Sequence, residues 1–156
     1  MVIERATERD IKGINNLLRQ VLEIHHKGRP DLFKSNAKKY TDAQLAEILK
    51  DDSRPIFAAK DSSGNVVGYA FCMFVEHKND NIMQDVKSLY IDDLCVDEGA
   101  RGMHIGKALF EYVKDFAEKE NCYNITLNVW GCNESAKRFY EKCGLKPQKI
   151  CMETIL

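Results

Sequence analysis

The segment Val96–Val113, VDEGARGMHIGKALFEYV, decides how the chain is read. Three glycines (Gly99, Gly102, Gly106) and two basic residues (Arg101, Lys107) lead into a run in which Ile105, Leu109, Tyr112, Val113 and Phe116 recur at helical spacing. Before it, Lys87 to Val96 carries apolar residues on both faces, as the interior of a sheet requires. The segment therefore joins an interior strand to a helix through a glycine-rich turn. Backbone N–H groups around Gly102 to Gly106 would converge at the helix N-terminus, where unpaired donors and the helix dipole favour a pyrophosphate. Arg101 and Lys107 add positive charge. An ordinary strand-to-helix turn is the competing explanation for the glycines and Arg101. Two common phosphate cradles are excluded. A P-loop would need glycine where Arg101 stands and Ser or Thr where Ala108 stands, and the 3-and-4 spacing of Gly99, Gly102 and Gly106 breaks the dinucleotide fingerprint.

Outward from this segment the two structural periods alternate. A short strand near Val2–Ala6 leads to Thr7, which with Asp10 forms a capping-box pattern ahead of Ile11, Ile14, Leu17, Leu18, Val21 and Leu22 on one helical face. Gly28 and Pro30 interrupt that helix in HHKGRPDLFK, and Thr41 with Gln44 starts a short second one. Strands Ile56–Ala59 and Val66–Val75 flank the turn residues DSSGN as an antiparallel hairpin. After the quoted segment, YNITLNVW alternates Ile125, Leu127 and Val129 as a strand, and Asn133 caps a last helix that ends at Gly144. LKPQKICMETIL then predicts one or two closing strands. The order β-α-α-β-β-β-α-β-α-β predicts an α+β domain over residues 1–156.

Composition sets the outer bounds. The 23 basic and 24 acidic residues leave a formal charge of −1, so no global field draws in nucleic acid or an anionic membrane. The charged N-terminal residues lack a signal peptide's apolar stretch, and no run is long enough to span a bilayer, which predicts a cytoplasmic chain. Its six cysteines lack CxxC spacing and are expected to be reduced, with no metal site.

IDDLCVDEGARGMHIGKAL, followed about thirty residues later by NESAKRFYEKCGLKP, resembles the GNAT superfamily of acetyl-CoA-dependent N-acetyltransferases. The resemblance covers nearly the whole chain and implies a central, mostly antiparallel mixed sheet of six or seven strands flanked by about four helices. The family's pyrophosphate motif falls on Arg101, His104 and Gly106, with His104 where a glycine is usual. The same resemblance implies a cofactor site of Leu94, Cys95 and Val96, then Arg101, Gly102, Met103, His104, Ile105, Gly106 and Lys107, with Asn133 as a further contact or simply a helix cap. The pantetheine arm of acetyl-CoA would pair with the backbone of Leu94–Val96 where that strand splays from the next, with the amide of Leu94 or Val96 as oxyanion donor.

Amine acetylation requires removal of an ammonium proton and protonation of the departing thiolate. By family position Tyr140 is the candidate acid, against a bland role in core packing. Asp92 is the favoured base and Asp93 its rival; alternation along a strand predicts that only one of them reaches a given cleft. Asn128, at another base position of the family, cannot take up a proton. Cys95 sits among Asp92, Asp93, Asp97 and Glu98, which raise a thiol pKa and argue for direct attack by the amine rather than an acyl-enzyme. The acceptor is open among a small amine, a polyamine and a protein N-terminus. A homodimer through the C-terminal strands follows from the family alone. A non-catalytic acyl-CoA-binding or sensing domain is the alternative function.

Overall fold

A computed structural model describes residues 1–156. Strand β1 (Val2–Arg5) is followed by helices α1 (Ile11–Gly28) and α2 (Asp42–Leu49), strands β2 (Ile56–Lys60), β3 (Val66–His77) and β4 (Val86–Val96), helix α3 (Ile105–Lys119), strand β5 (Asn124–Leu127) and helix α4 (Glu134–Lys142). The strands form one sheet in the order β1-β2-β3-β4-β5. All pairs are antiparallel except β4 with β5, which the α3 crossover makes parallel. No helix is long and apolar enough to cross a membrane.

Each face of the sheet buries one helical layer. Ile14, Leu17 and Leu18 of α1 and Leu45 and Ile48 of α2 pack on Ile56, Ala58, Tyr69, Phe71 and Cys95. Ile105, Leu109, Phe110, Val113 and Ala117 of α3 pack on the opposite face against Phe57, Ala59, Ala70, Cys72, Leu89 and Ile91. The strict alternation along β2 and β3 is what lets one strand serve both layers.

On β4 that alternation slips. Phe71 faces Asp93 while its neighbour Cys72 faces Ile91, so Asp92 is an extra residue in a β-bulge. Leu89 and Ile91 lie on the α3 side before it, Leu94 and Val96 on that side after it, and Cys95 on the α1 side. Beyond Ile91 the parallel ladder to β5 also stops, its last pair being Ile91 with Leu127. The edge of β4 from Asp92 to Val96 is thereby open toward β5, the splay expected at Leu94–Val96.

Two expectations are corrected. The sheet has five strands rather than six or seven, because Leu145–Leu156 forms no regular element. A strand needs a ladder partner, and the last twelve residues pair with neither edge strand, β1 or β5. Strand β5 ends at Leu127, short of Val129, for the same reason: its β4 partner has bent away. The capping signals hold. The Thr41 hydroxyl accepts from the Gln44 N–H at 3.2 Å, Asn133 Oδ1 accepts from the Ala136 N–H at 3.1 Å, and Gly144 follows α4 at φ +92°.

Asp10 ties the start of α1 to the sheet. Its carboxylate accepts from the Thr7 N–H at 2.8 Å and lies 2.8 Å from Lys60 Nζ, with the side chain only 5% exposed. Burial alone would push its pKa up, but the bonds from Lys60 and Thr7 outweigh burial and hold it below the ordinary value. Asp10→Ala is therefore expected to lower the unfolding free energy by about 1–3 kcal/mol at neutral pH. The folded pKa lies below the unfolded one, so the contribution is complete above the unfolded value of about 3.9 and is lost as pH falls through the folded value. Urea titrations at successive acid pH values should show the gap between wild type and variant closing.

Candidate active site

The turn between β4 and α3 leaves a run of unpaired amides at a helix N-terminus. Asp97 Oδ1 accepts from the Gly99 N–H at 2.9 Å and shapes a short 3-10 turn over Glu98–Ala100. Gly102 then takes φ +83°, and His104 takes φ +60°, ψ +14° as the residue before α3. These two left-handed residues turn the chain into the helix. No N–H from Gly102 to Lys107 has an acceptor within the protein. Arg101, Gly102, Met103, His104 and Lys107 are exposed, while Ile105 is buried beneath the cradle. A side chain at Gly106 would begin 3.4 Å from the Phe139 ring and 3.5 Å from Val96 Cγ2, ordinary contact distances that place the helix start beside both the end of β4 and α4. Six free amides, a helix N-terminus and two cations fit a pyrophosphate, and the open β4 edge beside them fits an amide-bearing arm.

A second cluster lies on the α1 side of β4. Because of the bulge, both carboxylates reach the same cation: Lys39 Nζ is 3.1 Å from Asp92 Oδ2 and 3.6 Å from Asp93 Oδ2. The expectation that only one of the pair reaches a given cleft is thus corrected, since a bulge residue is exempt from strand alternation. Their surroundings differ. The Asp92 side chain is 38% exposed, whereas that of Asp93 is 9% exposed and accepts from the Tyr69 hydroxyl at 3.0 Å. Burial raises the Asp93 pKa, against the opposing pull of Lys39 and the Tyr69 bond. Burial also lowers the pKa of His25, partly offset by the Asp93 charge.

Tyr140 packs at a 5.0 Å centroid distance from Phe139 and 6.5 Å from Phe110, and its hydroxyl makes no bond within the protein. Burial, reinforced by Asp93, pushes its pKa up, so the phenol is protonated at neutral pH. The Cys95 thiol is buried on the α1 side, and burial with the Asp93 charge pushes its pKa up to about 12. Such a thiol is a poor nucleophile. Asn133 caps α4, and Asn128 Nδ2 donates to the Tyr90 hydroxyl at 3.1 Å. No cluster of His, Cys, Asp and Glu side chains could hold a metal ion.

Residues 18–145 match the acetyltransferase (GNAT) family. The chain belongs to that family. As a GNAT acetyltransferase it is 28% identical to glucosamine 6-phosphate N-acetyltransferase 1 of Dictyostelium discoideum over 76% of this chain and 75% of that protein. It is 36% identical to the Arabidopsis thaliana glucosamine 6-phosphate N-acetyltransferase over 66 residues, 42% of each chain. The match thus spans less than half the length of the Arabidopsis relative. Its fold superposes on the crystal structure of a mutant of the BH1408 protein from Bacillus halodurans with a TM-score of 0.96 at 32% identity, covering 100% of this chain and 99% of that one.

Sequence reasoning missed Lys39, Tyr69 and His25 as neighbours of the carboxylates. Tyr69 carried a partial signal, since a residue alternating with Phe71 on β3 lies across from β4. Lys39, on the α1–α2 connection, carried none.

The left-handed positions give opposite expectations. Gly102→Ala should cost about 1–2 kcal/mol, because a Cβ at that φ strains the turn, and should weaken coenzyme A binding. His104→Gly should change stability by less than about 1 kcal/mol, since relief of strain is offset by the greater unfolded-state freedom of glycine. Urea denaturation with and without coenzyme A measures both.

Proposed function

We propose that residues 1–156 form a single N-acetyltransferase domain that moves the acetyl group of acetyl-CoA to a primary amine of a small molecule by direct attack in a ternary complex. The observation that carries this reading is the open edge of β4, with the amide cradle at its end and the Asp92–Asp93 pair at the bulge that opens it. Acetyl-CoA supplies the acetyl group as an activated thioester. The amides from Gly102 to Lys107, with Arg101 and Lys107, bind the pyrophosphate, and the Leu94–Val96 backbone aligns the pantetheine arm. An amide of Leu94 or Val96 donates to the carbonyl oxygen as charge develops there. The Asp92–Asp93 pair binds the incoming ammonium and takes its proton, Asp93 being the better proton acceptor because burial raises its pKa. Tyr140, held protonated by burial, gives a proton to the departing thiolate. The raised thiol pKa of Cys95 supports direct attack over an acyl-enzyme.

The named relatives support a small amine, with glucosamine 6-phosphate the first acceptor to test. The carboxylate pair supports a cationic amine, so glucosamine and a polyamine belong in the same assay. Six unpaired thiols support a reducing compartment such as the cytoplasm. A homodimer is supported by the C-terminal segment, where Ile150, Met152 and Ile155 are about four-fifths exposed (79%, 84% and 80%).

Multiple-turnover thiol release from acetyl-CoA, beyond one equivalent per chain, should require an amine from this panel. Tyr140→Phe is expected to reduce kcat by about 100-fold or more with little change in coenzyme A affinity. Tight coenzyme A binding with no release on any amine would instead favour a sensing domain. Light scattering during chromatography should give twice the chain mass, and removal of residues after Pro147 should shift it to one.

A further inference from the structure

Lys39 is a primary amine that occupies the position this reading gives to the acceptor. Its ammonium bridges Asp92 and Asp93 at 3.1 and 3.6 Å and lies 5.5 Å from the centroid of the Tyr40 ring and 6.0 Å from that of Phe71. Those two rings stack at 5.9 Å and, with the carboxylates, form an aromatic and anionic seat for a cation. Lys39 enters this seat from the connection between α1 and α2, a segment outside every helix and strand, so the group can leave without disturbing the core. Its neighbour Lys38 points elsewhere and pairs with Asp42 at 2.7 Å.

We propose that Lys39 is an internal pseudo-acceptor, competing with the substrate amine for the Asp92–Asp93 seat and becoming acetylated on Nζ when acetyl-CoA is bound without an acceptor. The inference rests on the active-site reading above. Lys39 first passes one ammonium proton to the carboxylate pair. Its lone pair then attacks the thioester carbonyl carbon, an N–C bond forms and the C–S bond breaks. Coenzyme A leaves as the thiolate and takes a proton from Tyr140, which solvent reprotonates, while the carboxylate pair passes the two nitrogen protons to solvent in turn. The products are acetyl-Lys39, free thiol and one released proton. Acetylation removes the charge that both aspartates engage, so the modified side chain no longer competes for the seat. Both carboxylates hold Lys39 as the ammonium, and burial of its surroundings opposes them. Self-modification is accordingly slower than turnover of a free amine and is suppressed by one.

The protein is incubated with acetyl-CoA alone, and with glucosamine or a polyamine added, then digested and sequenced by mass spectrometry. Thermal shift with coenzyme A and thiol release are recorded on the same samples. The expected result is one acetyl increment on Lys39 and not on Lys38, reduced by added amine, at least tenfold slower in Tyr140→Phe, and absent in Lys39→Arg. Lys39→Met should lower KM for the amine by removing the competing charge. Thiol release on added amines with Lys39 unmodified overturns the inference and leaves the active-site reading intact. Equal labelling of Lys38 and Lys39, unaffected by Tyr140→Phe, overturns it as solution acylation by the thioester. No coenzyme A shift and no thiol release overturns both.

Discussion

The extra residue at Asp92 is the constraint on which the site depends. An ideal β4 would continue its alternation, place Asp93 against α3 and keep its ladder to β5. With the bulge, Phe71 pairs with Asp93 and Cys72 with Ile91, the strand bends, and the β5 pairing ends at Ile91. Three consequences follow from one inserted residue. An edge of backbone is left for a ligand to complete, Leu94 and Val96 turn toward α3, and two carboxylates converge on one cation.

The second element is rigidly coupled to the first. Helix α3 is seated by Ile105, Leu109 and Val113 in the core, so its N-terminus is fixed relative to the end of β4. Gly106 stands beside Val96 Cγ2 and the Phe139 ring, at ordinary contact distance from where a Cβ would stand. The left-handed conformation is free to Gly102 but carries a cost at His104, where it persists because the buried helix and the paired strand dictate the path between them. Histidine tolerates this region better than most side chains, so a residue other than glycine serves there.

The electrostatics set two chemically identical groups apart. Asp93 is buried, bonded to Tyr69 and pushed upward in pKa, while Asp92 stays exposed on the bulge. Tyr140 and Cys95 are both raised by burial and by Asp93, which keeps the phenol protonated and the thiol inert.

By itself the sequence determined the local features. Capping by Thr7, Thr41 and Asn133, the period of each helix, the hairpin through DSSGN and the cradle at Gly102–Gly106 are set by interactions within a few residues, and they are visible as spacing. Family membership follows from the same segments. Only the tertiary structure decided what long-range pairing controls. Whether Asp92 and Asp93 diverge or converge depends on the register against β3, which no local pattern in β4 encodes. Lys39 reaches Asp92 across 53 positions of chain, and the last twelve residues, expected as closing strands, pair with neither edge of the sheet. A side chain's periodicity records which face it prefers; which partner it meets is fixed only when distant strands bond.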